Sequence, residues 1–480
     1  MKQAVVFYVF GYREAHLADL LIQEWNQQGW DVIGHAYCYR SAAAIYLRKV
    51  PRRWPTVLSD REVITDLPHM PTSRALSELE DCYGAPNLWR HAVWDRYLIT
   101  RSSGGNLYRY GSQHGRAEIL RIVAARLFAV QHLIEHGQPR AAIFLSIDIG
   151  SGSALALHQV AKYHGLSVTV PVHNRLGTGT IFFDDIRRPP NALLDEYRER
   201  RQGRLDHASI EAVELIEAFR ADEGGIPVKK RAIHPLQVGR RFDRIREDPK
   251  RLPLAVRDRI VRMSRRRYAR RAFSAKSLRS DQDFILMPLH LEPELALLAY
   301  APEHYDQIAT IRQVAQSTPA STILAVREHP VVQGQRPISH YREISDIPNT
   351  AWHSPALPSR SVILRSRAVV SVTGSAVLEA AILGVPNLLL GRVWFDVCES
   401  IHQSLIPADI PSLLSNPEKL APDSADIGAF VGAILSLSTD WDVSAISKEL
   451  CNVPLEQAKE NGRFLEYESI LRDRLKSAVP

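Results

Sequence analysis

Three short segments of the C-terminal half place polar or charged residues directly after an apolar run. The segments are 284–294, 322–330 and 369–386. Each apolar run is typical of a buried strand in a parallel sheet, and helical periodicity follows each of them. Ligands of open α/β sheets bind beyond the carboxyl ends of the strands. The sequence therefore predicts that the polar residues of these segments surround one ligand site.

The third segment has residue types that suit a phosphate group. Thr373, Gly374 and Ser375 precede a predicted helix, whose free N–H groups and positive dipole end attract anions. Glu379 should lie on the same helix face as Ser375, one turn further along. The alternative is that small residues only allow a tight turn from strand to helix.

The second segment ends in an Arg-Glu-His-Pro sequence that also suits phosphate binding. The His329 imidazole can donate a hydrogen bond to a phosphate oxygen, and Pro330 ends the strand. We predict that Arg327, His329 and Pro330 join Thr373–Ser375 around one phosphate, at the ends of adjacent strands. A structural turn is the alternative. One of Arg327 and Glu328 must face the core, and the pattern does not say which.

These segments resemble the bacterial capsule-polysaccharide biosynthesis proteins. The resemblance rests on Pro288–Glu294, the His329-Pro330 pair and the stretch Thr373–Pro386, within roughly residues 281–396. That family includes the retaining Kdo transferases that use CMP-Kdo, and it shares a His-Pro motif and a Ser/Thr phosphate motif with bacterial sialyltransferases. The resemblance implies a GT-B glycosyltransferase whose C-terminal domain holds the nucleotide.

The resemblance also implies a reacting carboxylate at Glu294 and a sugar contact at His290. The Kdo transferases carry a nucleophilic Asp and a Gln at these two positions. Retaining transfer through a covalent intermediate needs a carboxylate on the sugar face opposite the leaving group. The alternative is that Glu294 only stabilises the dipole of the helix that follows.

The N-terminal half offers further candidates at predicted strand ends. Asp148 comes before a Gly-Ser loop, and His173 and Arg175 follow another strand. Arg175 could bind the carboxylate of an acidic sugar in a bidentate manner. Asp185 could hold an acceptor hydroxyl or act as a base. An equally good interpretation is that these are polar residues of surface loops with no role in binding or catalysis.

At 480 residues, the chain is expected to form two domains of about 200 residues each. Alternating strand and helix patterns in both halves predict an α/β protein of the GT-B class, with two doubly wound, Rossmann-like domains facing a cleft. The predicted parts are an acceptor domain (1–225), a basic helical connector (226–280), a nucleotide-sugar domain (281–454) and a helix that returns to the first domain (455–480).

Composition and short motifs indicate the cellular compartment and the need for metal ions. The four cysteines form no CxxC pair, which argues against a zinc site or a disulfide framework and suits a reducing cytoplasm. No metal-binding DxD-type motif exists beyond Asp184-Asp185, so we predict a mechanism without metal or cofactor. The N-terminus is interpreted as a buried strand, and no run approaches the ~18 apolar residues of a membrane span. We predict a cytoplasmic protein that is at most peripheral at the inner membrane.

The net charge of +7 is concentrated between Lys229 and Arg279. One interpretation is a solvated basic helix. Another is attraction to anionic lipid or to a phosphate-bearing acceptor. Nucleic acid is disfavoured because few aromatic residues are interleaved and no nucleic-acid motif is present.

The predicted function is transfer of a sugar, such as Kdo or a related acidic sugar, in bacterial capsular or lipopolysaccharide synthesis. The donor is expected to be a CMP-linked rather than a UDP-linked sugar, and the acceptor a glycan or lipid-linked glycan. The alternatives are a CDP-polyol phosphotransferase, a nucleotide-sugar epimerase on the same fold, and a non-catalytic partner in capsule assembly.

Overall fold

A computed structural model describes most of the chain as two units. The described residues are 3–66, 70–84, 87–99, 114–146, 150–204, 206, 209–221, 252–292, 294–329, 332, 334–353 and 355–477. Among them, residues 3–99, 114–194 and 436–477 form the first unit, and residues 195–435 form the second. Asp148, Pro330 and the connector up to residue 251 lie outside the described residues.

The first unit is built on a six-stranded sheet. Its strands are β1 (Gln3–Val9), β2 (Val32–Cys38), β3 (Thr56–Ser59), β4 (Ala141–Phe144), β5 (Ser167–His173) and β6 (Thr180–Phe183). The spatial order is β3-β2-β1-β4-β5-β6, with β6 antiparallel to β5 and every other pair parallel. This is the Rossmann order, in which ligands bind where the chain order reverses, here between β1 and β4.

Helices cover this sheet, and the last helix of the chain is among them. The helices are Tyr12–Gln27, Ser41–Leu47, Asp60–Thr65, Ser73–Tyr83, Trp89–Trp94, Arg96–Ile99, Arg116–Gly137, Gly152–Tyr163, Val443–Glu449, Leu455–Ala458 and Gly462–Ser477. Phe464, Tyr467 and Leu471 recur at helical spacing and share one buried cluster with Phe7 and Trp25 of the sheet layer. The prediction that the C-terminal helix packs back on the first domain is confirmed.

The second unit repeats this topology with five parallel strands. They are β7 (Phe284–Pro288), β8 (Ile323–Arg327), β9 (Thr350–His353), β10 (Ala368–Ser371) and β11 (Asn387–Leu389). The order β11-β10-β7-β8-β9 is again the Rossmann order, and it reverses between β7 and β10. Because β7 lies between β8 and β10, the expectation that His329 and Thr373–Ser375 end adjacent strands is wrong.

The helices of the second unit include the basic segment. They are Ile210–Ala221, Leu252–Ala275, Leu295–Tyr300, Gln307–Ser317, Ile338–Ser345, Ser359–Arg365, Ala376–Ile382, Ile410–Ser415 and Ser424–Leu437, with short 3-10 turns at Pro302–His304, Pro407–Asp409 and Pro417–Leu420. Phe273 of the basic helix packs on Tyr341 and Trp352, with ring centroids 5.9 and 5.0 Å apart. The described part of the predicted connector is therefore an integral layer of the second unit.

The unit boundaries differ from the predicted ones. The helices Asn191–Arg201 and Ile210–Ala221 follow the first sheet. The chain enters the second unit at residue 195 rather than near 225. Tyr197 makes this early entry favourable, because its ring packs 5.3 Å from Phe430 and its hydroxyl donates to Asp426. The return to the first unit also comes early, at residue 436.

One apolar segment, Pro417–Leu437, has the length and hydropathy of a membrane span, contrary to the expectation that none exists. However, 56% of its most apolar window is buried. The helix within it, Ser424–Leu437, has 14 residues and is about 21 Å long, whereas the hydrocarbon core of a bilayer is about 30 Å thick. These properties are those of a core helix.

Candidate functional site

The ends of β7 and β10 meet at His290. The Thr373 N–H donates to His290 Nε2 over 3.2 Å, and Ser371 Oγ lies 3.3 Å from the same nitrogen. The Gly374 N–H in turn donates to Ser371 Oγ over 3.1 Å. A Cβ at Gly374 would come within 2.6 Å of Ser371 Oγ, so this close approach requires glycine. His290, predicted as a sugar contact, thus holds the Thr373–Ser375 loop in place.

Glu294 lies on the other side of the same imidazole. Because Nε2 accepts the Thr373 N–H, we assign the proton of the neutral ring to Nδ1. Nδ1 is 3.9 Å from Glu294 Oε2, an electrostatic contact longer than a hydrogen bond. Glu294 occupies the N-cap position of Leu295–Tyr300, but its side chain makes no capping hydrogen bond. Since 37% of that side chain is exposed, the carboxylate can reach a ligand.

A buried guanidinium joins the ends of β7 and β8. Arg336 is fully buried, and its Nη1 lies 2.8 Å from Glu292 Oε2. Its Nε lies 3.0 Å from Glu328 Oε2, which also accepts the Tyr341 hydroxyl over 3.0 Å. Arg336 Nη2 donates to the carbonyl oxygen of His290. One cation therefore positions both strand ends and the residue that holds the Thr373 loop.

No local pattern of residues indicates this cluster. Arg336 lies 44 residues after Glu292, in a stretch that carries no helical or strand periodicity. The role of Gln307 has no local signal either. Its amide accepts the His290 N–H over 2.7 Å and donates to Glu292. Glu292 is buried, whereas the Glu294 side chain is 37% exposed. Residues two apart in an extended strand would share a face, so this difference reflects the bend at Glu292.

Arg327 and Glu328 face different surroundings. Glu328 is fully buried beside Arg336, whereas Arg327 Nη1 donates to Ser359 Oγ over 3.1 Å. The sequence does not indicate which of Arg327 and Glu328 faces the core. In the structure, Glu328 lies on the Arg336 side. Arg327 is only 6% exposed, so little of it is available to a nucleotide.

Glu379 has an unusual proton affinity for a carboxyl group. Desolvation raises its pKa to about 7, and the Ser375 hydrogen bond and the Arg327 charge oppose that rise. Ser375 Oγ donates to Glu379 Oε1 over 3.2 Å, which confirms that the two side chains share a face. Part of the Glu379 side chain remains accessible, so a ligand could change its protonation.

His329 and Thr373 are the two groups at this site best suited to bind a ligand. Burial lowers the pKa of His329, aided by the charges of Arg336 and Arg327 and opposed by Glu328, so the ring is neutral at pH 7. Thr373 Oγ1 is buried without a hydrogen-bond partner among the described residues, a costly state for a hydroxyl. Any ligand that contacts both must cross the end of β7.

The first-unit candidates make contacts of their own. His173 Nδ1 accepts the N–H of Arg175 over 2.9 Å, and Arg175 adopts a left-handed backbone with φ of 64°. Asp185 accepts the Arg187 N–H over 2.8 Å and lies 3.7 Å from His158. Its neighbour Asp184 pairs with Arg474 at 2.6 Å. These carboxylates therefore already stabilise turns and helix contacts, while Asp148 lies outside the described residues.

A second buried arginine lies near the strand ends of the first unit. Arg126 is 2.9 Å from Asp60 and 2.6 Å from Asp95, and all three are almost fully buried. The Gly152 N–H also donates to Asp95, over 3.2 Å. The sequence did not indicate this cluster, because its members are 31 to 66 residues apart. In the described part of the chain, no three His, Cys, Asp or Glu side chains are grouped as metal ligands would be.

Two Rossmann-like units in series, with a C-terminal segment that returns to the first, define the chain as an α/β protein with the element order of GT-B proteins. Residues 243–401 match the family described as capsule polysaccharide biosynthesis protein, which confirms the resemblance seen in the motifs. The match covers the region of the second unit that contains the three strand ends. No curated protein matches the sequence.

Solved structures show only distant likeness. The KpsC β-Kdo 2,7-transferase of Thermosulfurimonas dismutans is 11% identical, with 71% of this chain and 97% of that chain covered and a TM-score of 0.32. The UDP-GlcNAc 2-epimerase of Neisseria meningitidis bound to UDP-GlcNAc is 14% identical, with coverages of 91% and 99% and a TM-score of 0.28. The calicheamicin glycosyltransferase CalG4 is 16% identical, with coverages of 94% and 99% and a TM-score of 0.27. These values are too low to indicate a shared activity.

The Arg336 cluster predicts a large stability effect. Arg336→Met should lower the free energy of unfolding by about 3–5 kcal/mol, because two buried carboxylates lose their counter-ion. Chemical denaturation measures this loss, with Arg312→Met as control, since the exposed Arg312–Glu343 pair should contribute at most about 1 kcal/mol. Equal effects of the two substitutions would contradict this account.

The raised pKa of Glu379 predicts a pH dependence of defined sign. The native state holds this proton more tightly than the unfolded chain, whose carboxyl has a pKa near 4.5. The contribution of the group is therefore present below pH 4.5 and is lost as pH rises through about 7. Relative to Glu379→Gln, the parent protein should lose about 1 kcal/mol or more between pH 4.5 and 8 in denaturation titrations. Parallel pH profiles would exclude a raised pKa.

Proposed function

We propose that the protein is a glycosyltransferase of bacterial surface-polysaccharide synthesis, acting in the cytoplasm. The observation that carries the proposal is the second unit's reversal point, where β7 and β10 bring His290, Glu294 and Thr373 together within a capsule-biosynthesis family region. A nucleotide sugar is the donor in this proposal. We further propose a CMP-linked acidic sugar such as Kdo, transferred to a glycan or lipid-linked glycan.

The nucleotide phosphate is proposed to bind across the end of β7. The unpartnered Thr373 hydroxyl and the neutral His329 ring each supply a hydrogen-bond donor. Ser375 and Glu379 would border the site from the first turn of the following helix, and Arg327 would act as a nearby buried charge. Donors fixed in advance of the reaction stabilise the charge that develops on the leaving nucleotide. The proposal uses no metal ion and no cofactor.

Glu294 is proposed as the reacting carboxylate. It is accessible, does not cap its helix and faces the imidazole that holds the Thr373 loop. A carboxylate in this position can attack the anomeric carbon or act as a base toward the acceptor hydroxyl. Acceptor binding by His173, Arg175 and Asp185 of the first unit stays a prediction, as does a role for Asp148 and Pro330.

Nucleotide binding tests the first part of the proposal. Calorimetry with CMP, CDP, UDP and GDP should rank the cytidine nucleotides first. His329→Ala should weaken that binding by about 1.5–3 kcal/mol, since it removes a hydrogen bond to a charged group. Thr373→Val should weaken binding without lowering stability, because it removes a buried hydroxyl that has no partner. His136→Ala, at an exposed first-unit position, serves as the control.

The ranking also separates the alternatives. Preference for UDP would exclude the proposal of a CMP-linked donor. Failure to bind any of the four nucleotides would contradict the glycosyltransferase proposal altogether.

Turnover of the donor tests Glu294. Glu294→Gln keeps the size of the side chain but removes its charge, so nucleotide affinity should persist while kcat falls about 10³-fold or more, near 4 kcal/mol of barrier. Glu294→Asp should also be impaired, because the shorter side chain ends about one bond further from the sugar. Glu303→Gln is a matched control at a nearby exposed carboxylate. Normal turnover of Glu294→Gln would remove Glu294 from the mechanism and direct attention to Asp148 and Asp185.

A further inference from the structure

The basic helix Leu252–Ala275 has one face packed on the second unit and one face open to solvent. On the packed face, Arg265 Nη1 donates to the carbonyl oxygen of Gln335 over 2.6 Å. A Cβ at Gly334 would come within 2.9 Å of Arg266 Cβ, so the helix lies directly against this loop. Arg265 is therefore part of the packing, whereas Arg266 and Arg267 are exposed.

The open face carries large apolar side chains in line. Val256, Ile260 and Met263 are 51%, 63% and 64% exposed. Their spacing of four and three residues places them on one stripe of the helix. Three exposed apolar side chains in line on a charged helix are not explained by packing within the described residues, and they form a surface suited to burial elsewhere.

Arginines continue and flank this apolar stripe. Arg267, Arg270 and Arg271 extend it toward the C-terminal end of the helix, and Arg259 and Arg266 lie along one side. All five are exposed, and none forms an ion pair with any residue that the structure describes.

The charge of this helix accounts for the basicity of the protein. The helix contains eight arginines and one aspartate, a net charge of +7, equal to that of the whole chain. The remaining residues therefore carry as many acidic as basic side chains. The positive charge is thus concentrated beside the apolar stripe.

We propose that this face docks the protein on an anionic phospholipid bilayer. An amphipathic helix that lies in a membrane interface inserts apolar side chains while its arginines contact lipid phosphates. Each arginine near an anionic surface strengthens attachment, and the attraction falls with salt. A helix of 24 residues is about 36 Å long, so the stripe and the cationic end can contact one surface together. This inference does not depend on the proposed activity.

Vesicle binding by the full chain tests the proposal. The protein should co-sediment with vesicles of phosphatidylcholine and phosphatidylglycerol at low salt, but not with phosphatidylcholine alone. Arg267→Glu, Arg270→Glu and Arg271→Glu together should weaken binding more than ~100-fold. The control reverses three exposed first-unit arginines, Arg52, Arg116 and Arg188, which gives the same change in net charge and should leave binding unchanged.

A second pair of variants tests insertion of the apolar stripe. Ile260→Asp with Met263→Asp should weaken vesicle binding about tenfold or more, whereas Leu364→Asp with Ile406→Asp, exposed at other places in the second unit, should not. Unchanged binding of the stripe variant would overturn the insertion of this face. Two other results would also overturn the proposal. In the first, the parent protein binds single-stranded nucleic acid but not anionic vesicles. In the second, the stripe variant loses self-association but keeps vesicle binding.

Discussion

The buried Arg336 guanidinium is the interaction on which the candidate site depends. It lies between two carboxylates from neighbouring strand ends and also binds the carbonyl oxygen of His290. Removing two carboxylates and a guanidinium from water costs about as much as their mutual attraction returns, so the cluster adds little net stability. Its effect is on geometry. Because Glu292 and Glu328 must both stay paired with Arg336, the ends of β7 and β8 have one arrangement. His290 links that arrangement to Thr373 at the end of β10.

The first unit contains a comparable buried charge cluster. Arg126 is buried between Asp60 and Asp95 and lies close to the loop that opens the helix Gly152–Tyr163. In each unit one arginine serves two carboxylates, which leaves a net negative charge that only hydrogen bonds from neighbouring groups can stabilise. In each unit the cluster also lies just beyond strand ends, since Asp60 follows β3 and Glu292 and Glu328 follow β7 and β8. Charge pairing therefore fixes backbone segments that lie outside the strand ladders.

Local patterns predicted most of the elements, and they could not predict how the elements are ordered in space. The apolar runs of β7, β8 and β10 and the polar residues after them were recognised because each signal is contained in a few residues. The strands Thr56–Ser59 and Thr180–Phe183 have no such signal, since each stands among turn-forming residues. Strand order is a long-range property, so the position of β7 between β8 and β10 escaped prediction. The same is true of Arg336 and Arg126, whose partners are distant in sequence.

His290 and Glu294 are the two positions at which the first motif departs from the Kdo transferases that it resembles. A glutamate is one methylene longer and has more rotational freedom, so its carboxylate needs a nearby group to hold it. The assigned His290 Nδ1–H faces the Glu294 carboxylate at 3.9 Å, while Nε2 is fixed by the Thr373 N–H. The two positions are therefore linked through one imidazole, which accepts the N–H of the loop after β10 at Nε2 and faces the carboxylate at Nδ1.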